Sequence, residues 1–333
     1  MLESIGVESY QFFQFTRQLG LALAGATSLW GFIFLWVGRK REVEETKKII
    51  LEWAGRRLLM LFTVGFILAS VSWFVLWNTW PVLAHEGITL FPSGQESRNA
   101  FLFNIPIYIA WIFFTIGALT IKFLKPHLFQ QKLPWFFGAQ FLLASFLLSL
   151  YAWTGEIFSK EQLFFYFHGF HSIFTLGTVL TLDFLFLSSR RSLVRQQVLF
   201  PFFPTISKII FIGLGLDFLS VYLVFDEALF LSTRFFMAQT VVGILIINGA
   251  FLSGPMTRKI LNGLKKGEML RGGWKRIAAV CGAISITSWT TITFIDYFPN
   301  LTFAYSTQFL IYLSVIIFGT LIKLAIDRQD EKM

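Results

Sequence analysis

The sequence predicts an all-α protein that crosses a membrane about nine times, and three observations carry that expectation. Of 333 residues, 55% are apolar and 18% aromatic, while only 14% are charged, a composition outside the range of soluble domains. The apolar residues gather in runs of about 20, the length that a helix needs to cross the hydrocarbon of a bilayer. These runs lack polar alternation, so they are helices rather than barrel strands, the two structures that satisfy every backbone polar group in lipid.

The spans are read at roughly 17–38, 58–80, 101–124, 135–154, 164–187, 206–225, 234–254, 276–297 and 302–325. The connections between them justify the order. The first, RKREVEETKKIILEWAGRR, is dense in Lys and Arg, whereas the second, PVLAHEGITLFPSGQESRNA, holds Arg98 alone. The third has Lys122, Lys125 and Lys132, and the fourth, TGEIFSKEQL, has one Lys against two acids. Arg190, Arg191 and Arg195 mark the fifth, Asp226 and Glu227 the sixth, and MTRKILNGLKKGEMLRGGWKR makes the seventh strongly basic. Basic connections face the cytoplasm. The unbroken alternation therefore predicts a bacterial inner-membrane protein with its N-terminus outside and its C-terminal tail, with Lys323, Arg328 and Lys332, inside.

The net charge of +9 follows from those loops, which would attract anionic lipid headgroups; no nucleic-acid partner is implied. The opening MLESIGVESY is acidic and the first apolar run is long, so a cleavable leader is not expected. Cys281 is the single cysteine, which precludes an internal disulfide and, with no C-x-x-C-H, covalent haem.

The chain also aligns with itself. GATSLWGFIFLWVGRKR, from Gly25, lies over GTVLTLDFLFLSSRRS, from Gly177; GFILASVSWFVLW, from Gly65, over GLGLDFLSVYLVF, from Gly213; and IGALTIKFLKP over NGAFLSGP more loosely. The order predicts two tandem four-helix units, 11–155 and 160–300, and a ninth helix at 301–327, with the repeats parallel because four spans return the chain to the same side.

Four acid and imidazole groups stand out in the second unit. His168 and His171 are three residues apart and share a helical face, at the outer end of the fifth span. Asp183 lies about 22 Å further along that helix, and Asp217 near mid-membrane in the sixth. With His85 from the second connection, and Glu86 and Glu156 on the same side, the histidines form a candidate site for copper or another transition metal, or for b-type haem; interfacial histidines bonded to water and headgroups are the alternative. Intramembrane acids such as Asp217 and Asp183 face the bundle, as proton or cation carriers or as protonated groups bonded to neighbours such as Asn248 or Gln239. Arg17, Arg234 and Asp296 are expected to snorkel, and Trp73, Trp77, Trp80 and Trp153, with Trp36, Trp135 and Trp274, to form aromatic belts. No Ser-His-Asp order, H-E-x-x-H or Walker pattern points to an enzyme.

His168 at the outer start of a helix, Gly177 midway, Arg234, the run GILIINGAFLSGP ending at Pro255 and a closing fourth helix resemble the CopD-type copper-resistance membrane domain over about 160–297. That resemblance implies copper handling or haem-linked redox chemistry at the external face, with His168 carried over; methionine clusters and a histidine-rich external segment are lacking. Three readings follow: a metal- or haem-binding protein for metal uptake or electron transfer through His168, His171 and His85; a non-catalytic subunit packing against other membrane proteins or copies of itself; and a proton- or ion-coupled transporter using Asp217 and Asp183.

Overall fold

The computed structural model describes residues 2–39, 49–85, 94–149, 160–189, 192–223, 232–268, 273–297 and 303–332. Among these, helices alone are found: α1 (Leu2–Arg39), α2 (Gly55–His85), α3 (Gly94–Leu124), α4 (Pro126–Ser149), α5 (Lys160–Ser172), α6 (Thr178–Ser189), α7 (Leu193–Leu199), α8 (Phe203–Leu223), α9 (Thr233–Phe251), α10 (Thr257–Lys265), α11 (Gly273–Tyr297) and α12 (Tyr305–Lys332). Eight helical stretches of the described residues are long and apolar enough to span a bilayer: Phe12–Gly38, Glu52–Leu76, Ile105–Leu124, Gly169–Ser189, Leu193–Leu219, Thr233–Lys265, Gly273–Ile295 and Tyr305–Ile322. The chain is an all-α polytopic membrane protein. The expected span at 135–154 is not among the eight. Its helix, α4, carries Gln131, Lys132 and Gln140 in its described part, and residues 150–154 lie outside the described residues.

Two other boundaries differ from the sequence reading. The sixth span starts at Leu193 rather than near 206, because the 3-10 turn Phe200–Phe202 carries the helix past Pro201 and Pro204, proline being tolerated in a first turn. The seventh runs on to Lys265, because the π turn Leu252–Met256 absorbs Pro255 and Thr257 Oγ1 donates to the Leu252 carbonyl at 2.6 Å.

Packing divides the chain into two compact units, 1–181 with 210–224 and 182–209 with 225–333. These boundaries fall within α6 and α8, whereas the two expected four-helix units would divide at the 155–160 connection. In the first unit α1 is central, packed by α2, α4 and the π turn Ile173–Gly177 that joins α5 to α6. Its spanning window is 72% buried, against 6% for α12, so α1 is the hub of its unit and α12 leaves most of its surface uncovered by the rest of the chain.

Small residues make that hub possible. A Cβ on Gly20 would lie 2.5 Å from the Ala69 nitrogen and 2.7 Å from the Gly65 carbonyl oxygen, and one on Gly65 would lie 2.8 Å from both the Ala24 nitrogen and the Gly20 oxygen. Gly20-x-x-x-Ala24 and Gly65-x-x-x-Ala69 thus cross reciprocally, the small-residue contact that drives helix association where lipid supplies no hydrophobic force. Around α1 the Ala22 carbonyl and Ala26 accept Gly177, and Gly25 faces Ile173 and Ala144.

A buried polar chain ties α3 to α4: Trp111 Nε1 donates to Gln140 Oε1 at 2.5 Å, and Gln140 Nε2 donates to Thr115 Oγ1 at 2.8 Å. Trp73 stacks on Tyr108 at 4.9 Å and is buried, so it is a core residue and not part of a belt. Trp36 and Trp135 are exposed and meet edge to face at 6.2 Å.

In the second unit α9, α11 and α12 pack side by side. Asn248 Nδ2 donates to the Cys281 carbonyl at 3.0 Å, and the hydroxyls of Ser288 and Tyr312 pair at 2.7 Å.

Candidate functional site

The first unit brings together two of the titratable groups that the sequence reading had kept apart. His171 is the last residue but one of α5, just before the π turn, and is 6% exposed. Its Nδ1 stands 3.0 Å from the Gly213 carbonyl oxygen on α8. A carbonyl only accepts, so Nδ1 carries the proton and donates. The other ring nitrogen, Nε2, then faces Asp217 Oδ1 at 3.7 Å, one turn along α8 from Gly213. This separation is too long for a direct hydrogen bond, and a small closure makes one when either Nε2 or the carboxyl carries the proton.

The local backbone explains why the ring is aimed there. Thr175 Oγ1 donates to the His171 carbonyl at 2.6 Å, and Thr178 Oγ1 donates to the Ile173 carbonyl five residues back at 2.9 Å. The wide turn is therefore sealed by hydroxyls, and π turns of this kind recur where a helix must re-aim a side chain. Gly213 allows the approach: a Cβ there would sit 2.6 Å from Thr175 Cγ2 and 2.9 Å from Phe174 Cβ.

α1 carries a buried polar stripe, of which Gln18 reaches the residue next to His171. Gln14, Arg17 and Gln18 are 8%, 5% and 3% exposed, and Gln18 Nε2 donates to Ser172 Oγ at 3.2 Å. Arg17 is thus buried within the protein and does not snorkel outward. Its i, i+3, i+4 spacing with the two glutamines was readable in the sequence, and that stripe is the signal the sequence reading missed.

The remaining candidates stand elsewhere. Asp183 is half-buried on α6, Gln239 is exposed on α9, and Asn248 is spent on the Cys281 carbonyl. His85 and His168 lie on helical backbone, but their side chains are outside the described residues, as are Glu86, Glu156, Arg190 and Arg191. Among the described residues no three His, Cys, Asp or Glu side chains converge as a metal site would require.

Comparison with family models, with curated proteins and with solved structures finds no match to this chain.

Proposed function

We propose that the protein carries protons across the membrane, alone or coupled to a solute, and that His171 and Asp217 are the pair that passes the proton. One observation supports this most directly: a buried imidazole with its Nδ1–H donated to a backbone carbonyl and its Nε2 turned toward an intramembrane carboxylate. Ionisable groups are costly in a spanning bundle and mark proton or ion pathways. A proton arriving at Nε2 makes an imidazolium beside Asp217; releasing it restores the tautomer that the Gly213 carbonyl selects. Gln18 and Ser172, bonded to each other next to His171, would line the polar layer in which this exchange runs.

Proteoliposomes loaded with a pH-sensitive dye, under an imposed potential, test the reading. Proton flux should fall about a hundredfold or more, the lower end of what a positioned proton-transfer group contributes, in both Asp217→Asn and His171→Asn, with the double variant no worse than either. Unchanged flux in Asp217→Asn would remove the proposal.

A second reading keeps a transition metal, copper above all, or b-type haem at the external face, held by His168, His171 and His85 in a CopD-like domain, for metal uptake or electron transfer. It is favoured by the same Nδ1 contact, since a histidine that would hold a metal through Nε2 is oriented by an acceptor at its other ring nitrogen. Metal content and the visible spectrum of the wild type, compared with the His168→Ala, His171→Ala double variant, separate it from the first reading. In both, the tandem units sit in a bacterial inner membrane with the N-terminus outside, which reporter fusions at the two ends would test.

A further inference from the structure

From the second unit we infer an anionic-phospholipid site on α10, independent of the proton reading. The stretch Thr233–Lys265 is 33 residues long, about 50 Å as a helix, whereas the hydrocarbon is about 30 Å thick. One end must therefore project among the headgroups, and the apolar sequence of α9 leaves that role to α10.

The two faces of α10 differ in kind. Met256, Ile260 and Leu264, spaced four apart, are buried against Leu193, Phe200, Phe251 and Trp274. On the other side Arg258, Lys259, Asn262, Lys265 and Lys266 are all exposed. Arg258, Asn262 and Lys265 follow i, i+4, i+7, and Lys259 and Lys266 run beside them, so the cations form one face. Lys259 Nζ lies 5.8 Å from the centre of the Trp274 ring, which brings α11 and its next residues, Lys275 and Arg276, alongside.

The platform is built, not frayed. Gly267 has φ +74°; its amide donates to Leu264 and that of Glu268 to Gly263, at 3.1 and 2.9 Å, the paired bonds of a left-handed helix stop. Gln197 Nε2 also donates to the Leu264 carbonyl at 3.1 Å. Basic side chains are thereby held at headgroup depth on a fixed scaffold, the arrangement that attracts phosphate diesters of acidic lipids.

The full chain, purified in a neutral detergent, would be titrated with phosphatidylglycerol and with phosphatidylcholine, reading lipid bound by native mass spectrometry and the melting temperature together. The wild type should retain and be stabilised by phosphatidylglycerol only, and less so at high salt. R258Q/K259Q/K265Q/K266Q should lose at least about tenfold in apparent affinity, given roughly fivefold per basic residue at an anionic surface. A control, R56Q/R57Q/K125Q/K132Q, should bind as the wild type does. Equal binding by both variants would overturn the site, as would equal stabilisation by inorganic phosphate alone, which would mark a soluble-anion site. Melting of the α10 variant in phosphatidylcholine at the wild-type temperature shows that lost binding is not lost folding; if it melts lower there, the charge-keeping R258K/K259R/K265R/K266R variant should bind as the wild type does, and loss of binding in that variant too would overturn the site.

Discussion

Replacing Gly20 or Gly65 by alanine probes the contact on which the first unit turns. At Gly20 the new methyl would meet the Ala69 nitrogen at 2.5 Å and the Gly65 oxygen at 2.7 Å, so α1 and α2 must part by about 1 Å to restore ordinary contact. Both obstacles are backbone atoms and cannot swing aside. Overpacking of this kind costs about 1–3 kcal/mol, and the gain of about 0.5–1 kcal/mol from removing a helical glycine offsets only part. Gly117, Gly215 and Gly243 supply the control, since a Cβ at each would meet nothing within 4 Å. Thermal unfolding in one detergent, followed by tryptophan fluorescence, should rank Gly20→Ala and Gly65→Ala below the wild type and Gly117→Ala at or above it. If Gly20→Ala melts with Gly117→Ala, the reciprocal crossing does not hold the unit together.

Other outcomes follow from single contacts. Gln140→Leu strands the buried Trp111 N–H and Thr115 hydroxyl and should cost about 1–3 kcal/mol, read as a lowered melting temperature. Trp30→Phe removes the 3.2 Å bond from Trp30 Nε1 to Thr178 Oγ1 and should cost about 1 kcal/mol in the same assay. Gly267→Ala forces a side chain into the left-handed region at φ +74°, at about 1–2 kcal/mol; hydrogen exchange should speed at the amides of Gly267 and Glu268 while those of α9 keep their protection. Asn248→Leu removes the donor to the Cys281 carbonyl and should lower stability by about 1 kcal/mol, with proton flux unchanged because Asn248 is not part of the proposed pair.

Helical class and most spans were legible because lipid leaves the backbone one economical solution and composition records it. The His171–Asp217 pair was not legible. Counting residues along regular helices put His171 at the membrane surface and Asp217 at mid-depth, and it grouped the histidine with His85 rather than with α8. Two features defeat that count: the π turn, which shifts the angular register after His171, and the early start of the sixth span at Leu193. Arg17 escaped for another reason. Near a span end a lone arginine invites snorkelling, and only its spacing with Gln14 and Gln18 marks an inward face.

The π turn at Ile173–Gly177 is, in effect, a single inserted residue. One residue is about 100° of rotation, so the helix that seats Gly177 against α1 aims His171 at α8 only because that residue is there. Deleting Phe174 would leave a regular helix able to keep one of these contacts but not both. A related chain without the histidine–aspartate pair should therefore be one residue shorter between the positions of His171 and Gly177, and an alignment gap of that length would mark where the polar site was gained or lost.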